Sequence, residues 1–117
     1  MKTVLIIDDS DNMRFTIKEI VTRNGYKVIG EAGDGKTGVD LYKELKPDIV
    51  TMDVTMREMD GISALKEIIK HDPKANVVMV SAMGQDALVK DAIVAGAKGF
   101  IIKPFSVDQL MDVFERI

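Results

Sequence analysis

Short apolar runs alternate with amphipathic stretches along this chain, five times over. The run Val4-Leu5-Ile6-Ile7 predicts a first strand over 3–7. Met13, Ile17, Ile20 and Val21 then share one face of a helix. Asn24-Gly25 ends that helix, because both residues tolerate the left-handed backbone of a helix stop. A second strand is predicted over 27–32, followed by a helix that buries Leu41, Tyr42 and Leu45 and stops at Lys46-Pro47. The third strand is predicted over 48–52. Asp60-Gly61 makes a turn, and Ile62, Leu65, Ile68 and Ile69 line a third helix that breaks at Asp72-Pro73. A fourth strand over 76–80 leads into a helix that begins near Gln85 and ends at Gly96. The fifth strand covers 99–102. The fifth helix starts at a Ser106 cap, with Val107, Leu110, Met111, Phe114 and Ile117 at helical spacing. Runs one, three, four and five are continuously or nearly continuously apolar, as parallel strands covered on both faces are. The pattern predicts an α/β fold around one parallel sheet.

Composition narrows the class. A chain of 117 residues, 46% of them hydrophobic, fits a single domain with one core. The net charge of −3 carries no basic excess, so neither nucleic acid nor an anionic membrane is implied as a partner. There are no cysteines, which excludes a disulfide framework and thiolate chemistry. No signal-peptide pattern or long apolar run is present, and a soluble cytoplasmic protein is the expectation. No linker, repeat or low-complexity stretch divides the chain.

The candidate chemistry sits where the strands end. The first run leads into Asp8-Asp9, the third into Asp53, the fourth into Ser81 and the fifth into Lys103. Parallel strands would bring all these ends to one edge, which is where open α/β sheets build their sites. Three carboxylates, a hydroxyl and an ammonium would then share one crevice. Alternation of side chains along a strand requires at least one of Asp8 and Asp9 to lie past the strand end if both serve that crevice. Capping of the first helix accounts for Asp11 and leaves one carboxylate of the Asp8-Asp9 pair unexplained. Three nearby anions repel unless a cation intervenes. Mg²⁺ takes oxygen ligands and uses one or two carboxylates beside a phosphate, so it suits this set. Lys103 would offset the acids and pair with a phosphoryl oxygen, and Ser81 would donate to one.

Two rival motifs fail on chemistry. Residues 30–37, Gly-Glu-Ala-Gly-Asp-Gly-Lys-Thr, match G-x-x-x-x-G-K-[ST], and 33–38 match G-x-G-x-x-G. Glu31 and Asp34 would place anions in a loop that cradles phosphates through backbone N–H groups and positive potential. That motif also leaves Asp8, Asp9, Ser81 and Lys103 without a role, so a tight turn into the second helix is preferred. A haloacid dehalogenase type of phosphatase would need a second aspartate two residues after the first, and Asp53-Val54-Thr55 offers threonine.

Residues 4–9, 52–61, 80–82 and 100–105 together resemble the receiver domain of two-component response regulators, and the likeness spans 1–117 as one receiver domain. Ser81-Ala82-Met83-Gly84-Gln85, in a chain with no room for an output domain, is most similar to stand-alone chemotaxis regulators of the CheY type. The resemblance implies a doubly wound, flavodoxin-like sheet of order 2-1-3-4-5 with five helices. It implies that Asp53 accepts a phosphoryl group from a sensor histidine kinase of the CheA kind. Asp9, Asp53 and the main-chain carbonyl of Thr55 would bind Mg²⁺, with Asp8 acting mainly through water. Lys103 would pair with the phosphoryl group. Ser81 would move toward it and Phe100 would rotate inward, changing the face of helix 4, strand 5 and helix 5. A flagellar motor switch protein would bind that face. The chain would be a signal transducer, with slow self-dephosphorylation as its only turnover.

Four positions tune that pattern. Arg57 stands where the family usually has proline, which loosens the loop after Asp53 and adds a cation. Phe100 replaces the tyrosine of many members. Thr55 and Met83 occupy positions that govern water access to the acyl phosphate. Threonine and methionine cannot act as a carboxylate base, which predicts a slowly decaying phospho-form and a separate phosphatase. A different class of function is a receiver-like interaction domain, constitutive or cut from a longer DNA-binding regulator. The intact acid set and Lys103 favour the working phosphosite.

Overall fold

The computed structural model of the protein describes residues 1–117. Its elements run β1 (Thr3–Ile7), α1 (Asp11–Arg23), β2 (Lys27–Ala32), α2 (Gly35–Leu45), β3 (Ile49–Asp53), α3 (Gly61–His71), β4 (Val77–Ser81), α4 (Asp86–Val94), β5 (Gly99–Ile102) and α5 (Val107–Glu115). All four strand pairs are parallel, and the sheet order is β2-β1-β3-β4-β5. This is the flavodoxin-like, doubly wound sheet that the resemblance implies. The chain steps from β1 out to β2 and then back across to β3. The reversal leaves a crevice at the C-terminal ends of β1 and β3.

Alternation along the strands builds two cores. Leu5, Ile7, Val50, Met52, Val77 and Met79 face one side, where Val39, Tyr42, Ala64, Leu65, Ile68 and Ala92 of α2, α3 and α4 cover them. Val4, Ile6, Ile49, Val78 and Ile101 face the other, under Ile17, Val21, Leu110, Met111 and Phe114 of α1 and α5. Full burial of each valine, leucine, isoleucine, methionine or phenylalanine among them contributes about 1.5–3 kcal/mol. β1, β3 and β4 are the covered strands, and their apolar continuity follows from that. Strand five departs from the expectation: β5 is a sheet edge, and Ile102 is 49% exposed.

Local differences have local causes. The cap of α1 is Ser10, whose hydroxyl accepts from the Met13 amide, and Asp11 lies inside the first turn, not at the cap. In α2, Gly38, Val39 and Tyr42 are buried while Leu41 and Leu45 are only half-buried. Gly38 lets Ile7 close in: a Cβ there would lie 2.5 Å from Ile7 Cδ1. β3 and β4 each run one residue further than expected, to Asp53 and Ser81. α4 stops at Val94, two residues before Gly96, and α5 stops at Glu115, so Ile117 lies beyond it. Ser106 and Gln109 form a reciprocal capping box on α5. Residues 30–32 of the phosphate-loop lookalike are strand, paired with Leu5, Ile6 and Ile7. The Asp34 carboxylate takes the Thr37 amide at the start of α2. No open phosphate loop remains.

Candidate functional site

Asp8 is the first residue past β1, and all four of its polar atoms are engaged. Its amide donates to the Ala32 carbonyl at 3.0 Å, and its carbonyl accepts from Arg14 Nη1. Oδ1 accepts from the Ser10 amide at 2.9 Å, and Oδ2 accepts from Lys103 Nζ at 3.0 Å. The residue is 1% exposed. Asp9 follows it in the turn and is exposed. Asp53 is the last residue of β3, and its Oδ1 lies 3.6 Å from the same Lys103 Nζ. Oxygens of Asp8, Asp9 and Asp53 all fall within 4.8 Å of one another. Both carboxylates of the Asp8-Asp9 pair therefore lie past the strand and reach one site.

Asp53 bears the electrostatic load. Burial, then the Asp8 charge, push its carboxyl up to about 6, with Lys103 opposing them and Asp9 adding to them. A divalent cation would relieve that crowding. The donor set is all oxygen, as a hard cation requires. Each Asp8 oxygen already accepts one hydrogen bond, so Asp9 and Asp53 hold most of the free acceptor capacity. The residues present fit Mg²⁺.

Lys103 owes its place to the sheet edge. Its amide donates to the Ser81 carbonyl at 2.7 Å, one rung beyond β5, and a cis peptide joins it to Pro104. Ser81 ends β4 and is buried. Its Oγ accepts from the Met83 amide at 3.0 Å, which leaves its own proton to donate. Phe100 is half-buried against the layer of α2, α3 and α4. Thr55, Arg57 and Met83 are exposed in the loops that follow β3 and β4.

Two glycines set the loop after Asp53, and neither stood out in the sequence for that reason. A Cβ on Gly61 would lie 2.0 Å from the Asp53 carbonyl oxygen and 2.7 Å from Val54 Cα. A Cβ on Gly35 would lie 2.2 Å from the Met59 carbonyl oxygen. The loop folds back on itself through Gly61 N to Val54 O at 2.7 Å, with Glu58 in left-handed backbone. Arg14 is the other contributor the sequence did not mark. No cavity encloses Asp53; a hollow of about 450 Å³ lined by Asn76, Lys98 and Arg116 lies at the opposite edge of the sheet. A small organic substrate therefore has no walled pocket at the acids.

Known proteins match this chain over nearly its whole length. The response regulator receiver domain matches residues 4–115. The chain belongs to that family. This receiver is 54% identical to the chemotaxis protein CheY of Thermotoga maritima over 116 residues, covering 99% of this chain and 97% of that protein. It is 52% identical to CheY of Bacillus subtilis, covering 97% and 94%. Among solved structures, the CheX-CheY-BeF3-Mg complex from Borrelia burgdorferi superposes with a TM-score of 0.96 at 40% identity, covering 98% of this receiver and 87% of that chain. The receiver is thus a two-component signal transducer, most like the CheY chemotaxis regulators. No helix in it is long and apolar enough to cross a membrane.

Proposed function

We propose that residues 1–117 act as one receiver domain that takes a phosphoryl group onto Asp53 and relays a chemotaxis signal. The observation that carries this is the single Lys103 ammonium set between the buried carboxylates of Asp8 and Asp53. An Asp53 carboxylate oxygen attacks the phosphorus of a phosphohistidine on a CheA-like sensor kinase. The P–O bond forms as the P–N bond breaks, its electron pair stays on the imidazole, and that ring takes a proton from solvent. Lys103 is close enough to Asp53 to pair with an oxygen of the group bound there. Ser81 donates its free proton to another. Mg²⁺, held by Asp9, Asp53 and the Thr55 carbonyl with Asp8 acting through water, would neutralise charge on the transferring group.

The acyl phosphate then biases a two-state face. Ser81 moves toward the phosphoryl group, Phe100 turns inward behind it, and α4, β5 and α5 rearrange. Ile93, Val94, Ile102 and Val107 are exposed apolar residues on or bordering those elements, and they suit a protein target such as the flagellar motor switch. Thr55 and Met83 supply no base for an attacking water, and the Arg57 cation stands in the loop after Asp53. A separate phosphatase would reset the signal.

The test is mass spectrometry after incubation with acetyl phosphate and Mg²⁺. Wild type should gain one base-labile phosphoryl group and Asp53→Asn none. Label that persists in Asp53→Asn and maps to Ser81 or Thr55 removes the aspartate from its role. In the same assay Met83→Glu should lose label faster once the donor is withdrawn. Equal decay assigns the lifetime to something other than Met83.

A further inference from the structure

We infer that Arg14 is a positioning residue for the metal-binding turn, a role that rests on the Mg²⁺ site proposed above. Arg14 lies one turn into α1, where a helix-surface arginine would ordinarily be solvated. Instead its side chain is 17% exposed. Its fork reaches three places at once. Nη1 donates to the Asp8 carbonyl, Nη2 pairs with Asp11, and Nε lies 3.4 Å from Glu31 on β2. Lys18, one turn on, approaches the same Glu31 at 3.6 Å.

The geometry explains why this matters for Asp9. β1 ends at Ile7, so the Asp8 carbonyl has no strand partner. A carbonyl on a buried residue needs a donor, and Arg14 supplies it. That carbonyl belongs to the peptide plane joining Asp8 to Asp9. Holding its oxygen holds the plane, and with it the Cα from which the Asp9 carboxylate projects. The other atoms of Asp8 are held by Ala32, Ser10 and Lys103. Arg14 holds the peptide that leads into Asp9, while the Ser10 amide, bonded to Asp8 Oδ1, holds the peptide that leaves it. Glu31 and Asp11 in turn fix the plane of the guanidinium, as two carboxylates around a rigid fork do. A lysine could replace the charge but not the three-way reach.

The experiment is Mg²⁺ titration by calorimetry of wild type, Arg14→Gln, Arg14→Lys and Glu31→Gln, alongside melting in EDTA. Arg14→Gln and Arg14→Lys should both weaken Mg²⁺ binding about tenfold, the low end for losing a group that orients a ligand. Glu31→Gln should shift it in the same direction by less. A metal-free melting temperature that falls while the Mg²⁺ dissociation constant stays within about twofold of wild type makes Arg14 merely structural and overturns the inference. Arg14→Lys binding like wild type also overturns it, since a point charge would then suffice. Acetyl phosphate labelling of wild type separates the two readings. Unlabelled wild type with weakened Mg²⁺ binding in Arg14→Gln refutes the phosphoacceptor and supports the positioning role. Labelled wild type with unchanged binding does the reverse.

Discussion

Asp53 concentrates the electrostatic conflict of the molecule in one side chain. It titrates at about 6 when folded, against about 3.9 when unfolded. The folded state therefore holds the proton more tightly. Asp53 favours folding fully below its unfolded value, and that contribution is lost as pH rises through about 6. In EDTA, the melting temperature of wild type relative to Asp53→Asn should fall as pH rises from about 4.5 to 7.5. A difference that stays flat across that window refutes the conflict. Asp48, Asp60 and Asp72 are held low by hydrogen bonds, so their losses belong to more acid solution. Legibility at this scale followed position. Asp8, Asp9, Asp53 and Lys103 stand directly after or at the end of apolar runs, and the structure brings them together. Arg14 carries no such mark, because its meaning depends on a carbonyl six residues away and a carboxylate on another strand.

The elements were legible where apolar period and turn chemistry agreed. All ten appear in the expected order. Errors gathered at ends, and polar residues caused them. Asp53 and Ser81 read as loop because they are polar, yet each occupies the last rung of its strand. Asp11 read as a cap because acids favour helix starts, but the hydroxyl one residue earlier has the extended backbone a cap needs. The β3–α3 connection hides a tighter constraint than its Asp-Gly turn suggests. Gly61→Ala would drive a Cβ into the Asp53 carbonyl. The loop or the end of β3 must then move, at a cost of about 1–3 kcal/mol. Urea unfolding should show that loss, and Mg²⁺ affinity should fall with it, because the displaced strand end bears Asp53, a proposed ligand. Unchanged values in both measurements would mean that the loop gives way freely.

At the scale of the molecule, alternation of β and α foretold a parallel sheet, but strand order came only from family resemblance. Five similar runs do not encode which neighbours they choose, since any order buries their apolar faces equally well on paper. The order matters because it sets β1 beside β3 and so Asp8 beside Asp53. A ligand that binds only the assembled site stabilises the whole fold. Mg²⁺ at about 100 times its dissociation constant should add about 2.7 kcal/mol, on the order of 10 °C in melting temperature for a domain of this size. Asp53→Ala should lose most of that rise. An equal rise in the variant places the bound ion elsewhere.

The ion pair between Lys103 and Asp8 joins residues 95 positions apart. A ribosome making this chain releases Asp8, Asp9 and Asp53 well before the lysine that bridges them. Until β5 docks against β4, the acids have no ammonium among them and Ser81 has no neighbour on its outer side. A stalled or clipped product lacking the last strand would carry Asp53 without its bridging cation. Such a fragment should be a poor substrate for any kinase. Under the proposed role, competence to take a phosphoryl group would thus wait until Lys103 has been made and β5 has docked on β4, whatever the earlier residues have already folded into.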